Sequence, residues 1–112
     1  MSVVAMIDEP QGDDERAFNV PVCSEPAYRD VIKPRALALE LTLCVGWGTM
    51  TEVDSTLVPE FIRQIDVLAA DIQSASDVSE EMKEHFEYRF NNLLNRIKAA
   101  VLKRSDVAFT LG

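Results

Sequence analysis

The side chains able to do chemistry are few and lie far apart in the chain. The one histidine, His85, has Glu81 one helical turn before it, a spacing at which the pair could share a metal ion or pass a proton. No second histidine joins them, and Met82 stands where the Glu-x-x-His repeat of carboxylate di-iron bundles needs a glutamate. Cys23 and Cys44 have neither a CxxC partner nor an adjacent histidine to lower a thiol pKa. Gly46-Trp47-Gly48 shares only its glycines with phosphate-binding loops, because no Lys-Ser/Thr pair follows and the spacing fits no dinucleotide fingerprint. The expectation is a chain with no catalytic residue, no metal and no cofactor, whose work is binding rather than turnover.

Charge narrows the kind of partner. The 112 residues carry a net charge of −8, so phosphate backbones and anionic lipid surfaces repel the chain, and a protein is the expected partner, with no direct nucleic acid and no membrane. Residues Ser2 to Ile7 are apolar but follow no basic residue and run into Asp8 and Glu9, unlike a secretory signal. The longest uncharged apolar stretch, Leu41 to Thr51, falls well short of the roughly 20 residues that span a bilayer. A soluble, cytoplasmic protein with reduced thiols is expected.

Periodicity supplies the elements. Met82, Phe86, Phe90, Leu93, Leu94, Ile97 and Val101 recur at steps of three or four and fall in a stripe roughly 120° wide, predicting a helix over Val78 to Leu102 with one buried face. Asp77 with Glu80 forms a capping-box pattern at its start, and its acids crowd the first turns and its bases the last. A second helix is predicted from Leu57 to Ala75, capped by Asp54, Ser55 or Thr56. Its apolar side includes Phe61, Ile65, Leu68 and Ile72, and its wet side Glu60, Arg63, Gln64 and Asp71. The short polar break between the two predicts an antiparallel helical hairpin.

Pro34 suits the first turn of a further helix running through the leucines at 37, 39, 41 and 43 to a stop at Gly46 and Gly48, although those leucines also alternate like a strand. Before it, Pro10, Pro21, Pro26 and Gly12 interrupt a segment in which seven acids face two arginines over residues 1–30. Such composition predicts a flexible acidic arm over residues 1–33. The expected architecture is therefore all-α: a small bundle of about three helices over residues 34–112 with an extended N-terminal arm.

Within that bundle, Tyr88, Asn92, Asn95, Ala99 and Leu102 form a weaker seam behind the apolar stripe, at steps of 4, 3, 4 and 3. Tyrosine and leucine on a wet face mark a partner surface. The candidate partner-binding residues are Tyr88 and Leu102, with Phe86 and Phe90 on the same helix and Trp47 and Phe61 nearby. Pro34 to Arg104 spans only 71 residues, a length short of core, so completion of the bundle as a homodimer is expected.

The order of a proline-rich acidic arm, a leucine-rich helix from Pro34, and paired helices at Leu57 to Ala75 and Val78 to Arg104 resembles the small helical antiactivators of the QslA type, over most of the chain. The resemblance implies a non-enzymatic antiactivator of quorum sensing that grips a LuxR-type transcriptional activator and blocks its dimerisation or DNA binding. An immunity protein or secretion chaperone that binds a toxin or effector is the alternative of the same size and acidity.

Overall fold

Alternation near the start of the chain decides the fold class. Val3, Ala5 and Ile7 are buried while Ser2 and Met6 are exposed, the period-two pattern of a strand with one face on a core. In the computed structural model, which describes residues 2–112, these residues form β1 (Ser2–Ile7). It is joined by β2 (Asn19–Ser24), β3 (Thr51–Val53) and β4 (Phe109–Leu111) in one antiparallel sheet of order β2-β1-β4-β3. The protein is thus mixed α/β, which overturns the all-α expectation. It overturns the flexible arm as well, since residues of the expected arm pair with the last strand of the chain and no boundary falls at residue 33.

The physical reason lies in where the charges and prolines sit. The acids crowd the connection from Asp8 to Glu15, outside both strands. Pro21 occupies the edge strand β2, where a missing N–H costs least. Pro26 lies in the first turn of α2 (Glu25–Ala27), capped by Ser24 Oγ accepting from the Ala27 amide at 3.2 Å. A register shift between Val3 and Val4 against β2 lets neighbouring Val22 and Cys23 both be buried. The β1–β2 connection carries α1 (Asp13–Arg16), which begins at Gly12 with φ of 90°, a backbone only glycine adopts freely.

After α2 the backbone continues through a π-helical turn at Tyr28–Ile32 into α3 (Lys33–Ala38), with Pro34 in its first turn as expected. The helix predicted to run to Gly46 stops seven residues earlier. Glu40 adopts φ of 57°, the Leu41 amide donates to Ala36 O at 2.8 Å, and that of Glu40 donates to Leu37 O at 3.3 Å. This is a Schellman stop with glutamate in the left-handed position that glycine usually fills, and buried Leu41 completes it near buried Ala36. Residues 39–49 then form successive turns. Side chains satisfy them: Gln64 Oε1 accepts from the Leu43 amide and the Trp47 indole donates to Leu43 O, each at 2.8 Å. Gln64, expected on the wet side, is 2% exposed.

The helical hairpin is present as α4 (Val58–Ser74) and α5 (Glu80–Lys103). Asp54 Oδ1 accepts from the amides of Thr56 and Leu57 in the turn just before α4. Ser79, rather than Asp77, caps α5 by accepting from the Met82 amide at 3.1 Å. Asp77 instead reaches Arg35 at 2.7 Å, and Arg35 Nε lies 3.3 Å from Asp71, so one guanidinium ties α3 to the hairpin's bend. The inner sheet face, with Val20, Val22, Val53, Phe109 and Leu111, packs into one core with the apolar sides of the two helices.

Candidate functional site

The apolar stripe of α5 is core from Phe86 to Ile97, with Met82 and Val101 partly buried at its ends. Phe86, Phe90, Leu93, Leu94 and Ile97 are buried, with the Phe86 and Phe90 rings stacked at 5.6 Å. Four of the six side chains expected to touch a partner are therefore unavailable: Phe86 and Phe90 are 1% exposed, Phe61 is fully buried and Trp47 is 1% exposed. Trp47 sits between Tyr28 and Phe61, at 6.1 and 6.4 Å between ring centroids, and its neighbouring glycines serve packing. A Cβ on Gly48 would lie 3.2 Å from the Tyr28 ring.

The other two candidates are on the surface. Leu102 is 89% exposed and Tyr88 68%, the highest values among the large apolar side chains of the described residues. Fourteen residues of helix place them about 21 Å apart along the axis and about 40° apart around it. Asn95 and Ala99 between them are exposed and Asn92 is half-buried, so the expected seam exists as a surface stripe.

Charges flank this stripe with opposite signs at its two ends. Glu81, Glu84 and Glu87 lie toward its N-terminal end, and none has an ion-pair partner among the described residues. Toward the other end are Arg96, Lys98 and Lys103. Arg96 lies over the Phe18 ring at 5.3 Å, Lys103 makes an exposed 3.4 Å contact with Asp14, and Lys98 has no partner among the described residues. In the sequence these charges read only as complements of the helix dipole. Their placement beside an exposed stripe is visible only once the outer face of the helix is located.

Beside the basic end runs a groove of about 300 Å³ between α1 and α5, lined by Ile7, Phe18, Arg96, Ala99 and Lys103 among others. Its rim is braced by Glu15 and Arg104, whose carboxylate and guanidinium meet at 2.6 and 2.9 Å. Those bonds, with the Gln11 amide donating as well, hold the Glu15 carboxyl down at about 2, and Glu15 and Asp106 raise Arg104 further.

The chemical candidates do not converge. His85 is exposed on α5, and no group of three or more His, Cys, Asp or Glu side chains able to hold a metal comes together among the described residues. Cys23 and Cys44 are free, and burial pushes both thiols up to about 12, away from the nucleophilic thiolate. The chain matches no family model, no characterised protein and no solved structure. Among the described residues no helix is long and apolar enough to cross a membrane. The sequence reading missed the outer sheet face, where Met6 is 51% exposed and pairs across to Asn19 and Thr110. The alternation of Val3, Ala5 and Ile7 was the signal that would have located it.

Proposed function

We propose that this protein is a non-enzymatic binding module that acts by covering a surface of another protein chain, and that its working surface is the Tyr88 to Leu102 stripe of α5. One observation carries the reading: the two most exposed large apolar side chains lie on the same helical stripe, with small and amide side chains between them and charge at its edges. Aromatic and aliphatic anchors within a charged rim are the usual makeup of a protein-binding patch. The reading places the module in the cytoplasm, a compartment that keeps free cysteines reduced.

The narrower form of the proposal, an antiactivator that sequesters a LuxR-type activator, drew on a layout of arm and three helices. Strands β1 and β2 stand where that layout had the arm, so the support that remains is for protein binding in general. Tyr88→Asp and Leu102→Asp test it, since both positions are exposed and the variants are expected to keep the fold, which circular dichroism checks. Bound to a resin and exposed to a lysate of the source cell and to soluble copies of itself, the wild type retains a protein and the variants retain much less. Equal retention by wild type and both variants, or no retention at all, overturns the assignment.

A further inference from the structure

The spacing and charge of this stripe have a symmetry. Tyr88, Asn92, Asn95 and Ala99 are separated by 4, 3 and 4 residues, so the ladder reads the same from either end. Its chemistry is complementary under that reversal. The large exposed ring of Tyr88 changes places with the small exposed Ala99, and one amide changes places with the other. Among the exposed charges the signs reverse in the same sense, with unpaired Glu81, Glu84 and Glu87 at one end and Arg96, Lys98 and Lys103 at the other; Lys83 and Arg89 in the acidic half are half-buried, Lys83 held by Glu80 and Arg89 with its Nε covered.

We infer that the occupant of the stripe is a second copy of this chain, with the two α5 helices packed antiparallel about a twofold axis that passes midway between Asn92 and Asn95. The inference rests on the protein-binding reading above and names the partner. In this arrangement Tyr88 covers Ala99 of the second copy, and Asn92 pairs with the other copy's Asn95 through their side-chain amides. Glu87 and Lys98, 11 residues apart and only about 20° apart around the helix, then face each other across the interface on the same flank. Each pairing occurs twice, as a twofold interface requires. A parallel arrangement would set Glu81, Glu84 and Glu87 against their own copies, and repulsion there selects the antiparallel one. Leu102 lies one turn beyond Ala99 and extends the apolar contact toward the methylenes of the second copy's Glu84.

Sedimentation velocity over a range of concentrations, read with charge-swap variants, tests the arrangement. The wild type is expected to form a dimer, and Leu102→Asp to weaken its dissociation constant about tenfold or more, the cost of seating a carboxylate on an apolar contact. Glu87→Lys is expected to weaken the dimer and raise its salt sensitivity, and Glu87→Lys combined with Lys98→Glu to restore it. None of these positions is buried, and neither Glu87 nor Lys98 has an intramolecular ion pair among the described residues, so the fold is unaffected. A wild type that stays monomeric, a dimer indifferent to Leu102→Asp, or a double variant no tighter than Glu87→Lys overturns the inference. A monomer whose Tyr88→Asp variant loses a foreign protein overturns the inference and leaves the protein-binding reading standing. Association of every kind unchanged by Tyr88→Asp and Leu102→Asp removes both.

Discussion

Replacing Gln64 by leucine should destabilise the protein through a segment that Gln64 does not belong to. Residues 39–49 have no ladder or helix to pair their backbone, and the Leu43 amide is satisfied by Gln64 Oε1 at 2.8 Å. Leucine has similar volume and fills the 2% exposed site, so no cavity term enters. Two hydrogen bonds are lost: the one from the Leu43 amide is about 1 kcal/mol, together with the desolvation cost of that orphaned amide, about 1–3 kcal/mol, whereas the bond from Gln64 Nε2 to Glu60 adds little because part-exposed Glu60 keeps Arg63 and water. Burying the leucine's apolar surface returns part of that, leaving a net loss of about 2 kcal/mol. With unfolding entropy of about 2.1 cal/mol/K per residue, a 112-residue chain loses about 4 °C of Tm per kcal/mol, so the drop is about 8 °C.

Trp47 gives this experiment a local reporter. It is the single tryptophan, and its indole donates to Leu43 O, so a Leu43 that loses its anchor shifts the emission to longer wavelength below the global transition. Gln64→Glu separates the hydrogen bond from the shape. Its carboxyl can still accept from Leu43, but it is buried beside Glu60, whose own carboxyl Arg63 and Gln64 hold at about 2. Burial and that neighbouring charge raise the new group's pKa above its unfolded value, so this variant gains stability as pH falls from 7 toward 5 while the wild type does not. A Gln64→Leu variant within about 0.5 kcal/mol of wild type by urea and thermal unfolding would refute the account of how residues 39–49 are held.

Two further outcomes follow from named backbone and ionic features. Glu40→Gly should raise stability by about 1 kcal/mol, because glycine removes the side-chain clash at φ of 57° that stops α3, and thermal unfolding that shows no gain counts against the Schellman stop. The Glu15 carboxyl is lowered from 4.5 to about 2 by Arg104, so its contribution is fully present above pH 4.5 and is lost as pH falls toward 2; Glu15→Gln should flatten the Tm profile across that window, and an unchanged acid slope would remove the pairing from the stability of the α1–α5 junction.

The helical hairpin was legible because its helices are long and each buries one continuous stripe, so periodicity alone locates them within a residue or two. Phe61, Ile65, Leu68 and Ile72 on α4 and Phe86, Phe90, Leu93 and Ile97 on α5 are buried as their spacing predicts. The sheet was not legible because its strands run only three to six residues and depend on partners far away in the chain. β4 lies between β1 and β3, joined to residues more than 50 positions away, and Phe109 to Leu111 carries no local signal of that. Averaging charge over residues 1–30 also merged an acidic connection with two apolar strands and so produced an apparent arm.

The same distinction bears on the candidate surface. Periodicity could say that Tyr88 and Leu102 share a side of α5, yet it could not say which of two stripes the sheet would cover. Phe86 and Phe90 were equally good anchors until the core claimed them. Once the sheet and α4 cover that stripe, α5 keeps a single outer face, and every group on it must be satisfied by water or by another chain. Dipole complementarity accounts for acids in the first turn and bases in the last, an effect that fades within one turn of each end. Glu84, Glu87 and Lys98 lie beyond that reach, in the second and third turns and five residues short of the end. Their segregation by sign is what an antiparallel second helix would read, and it is the part of the charge pattern that the helix itself does not need.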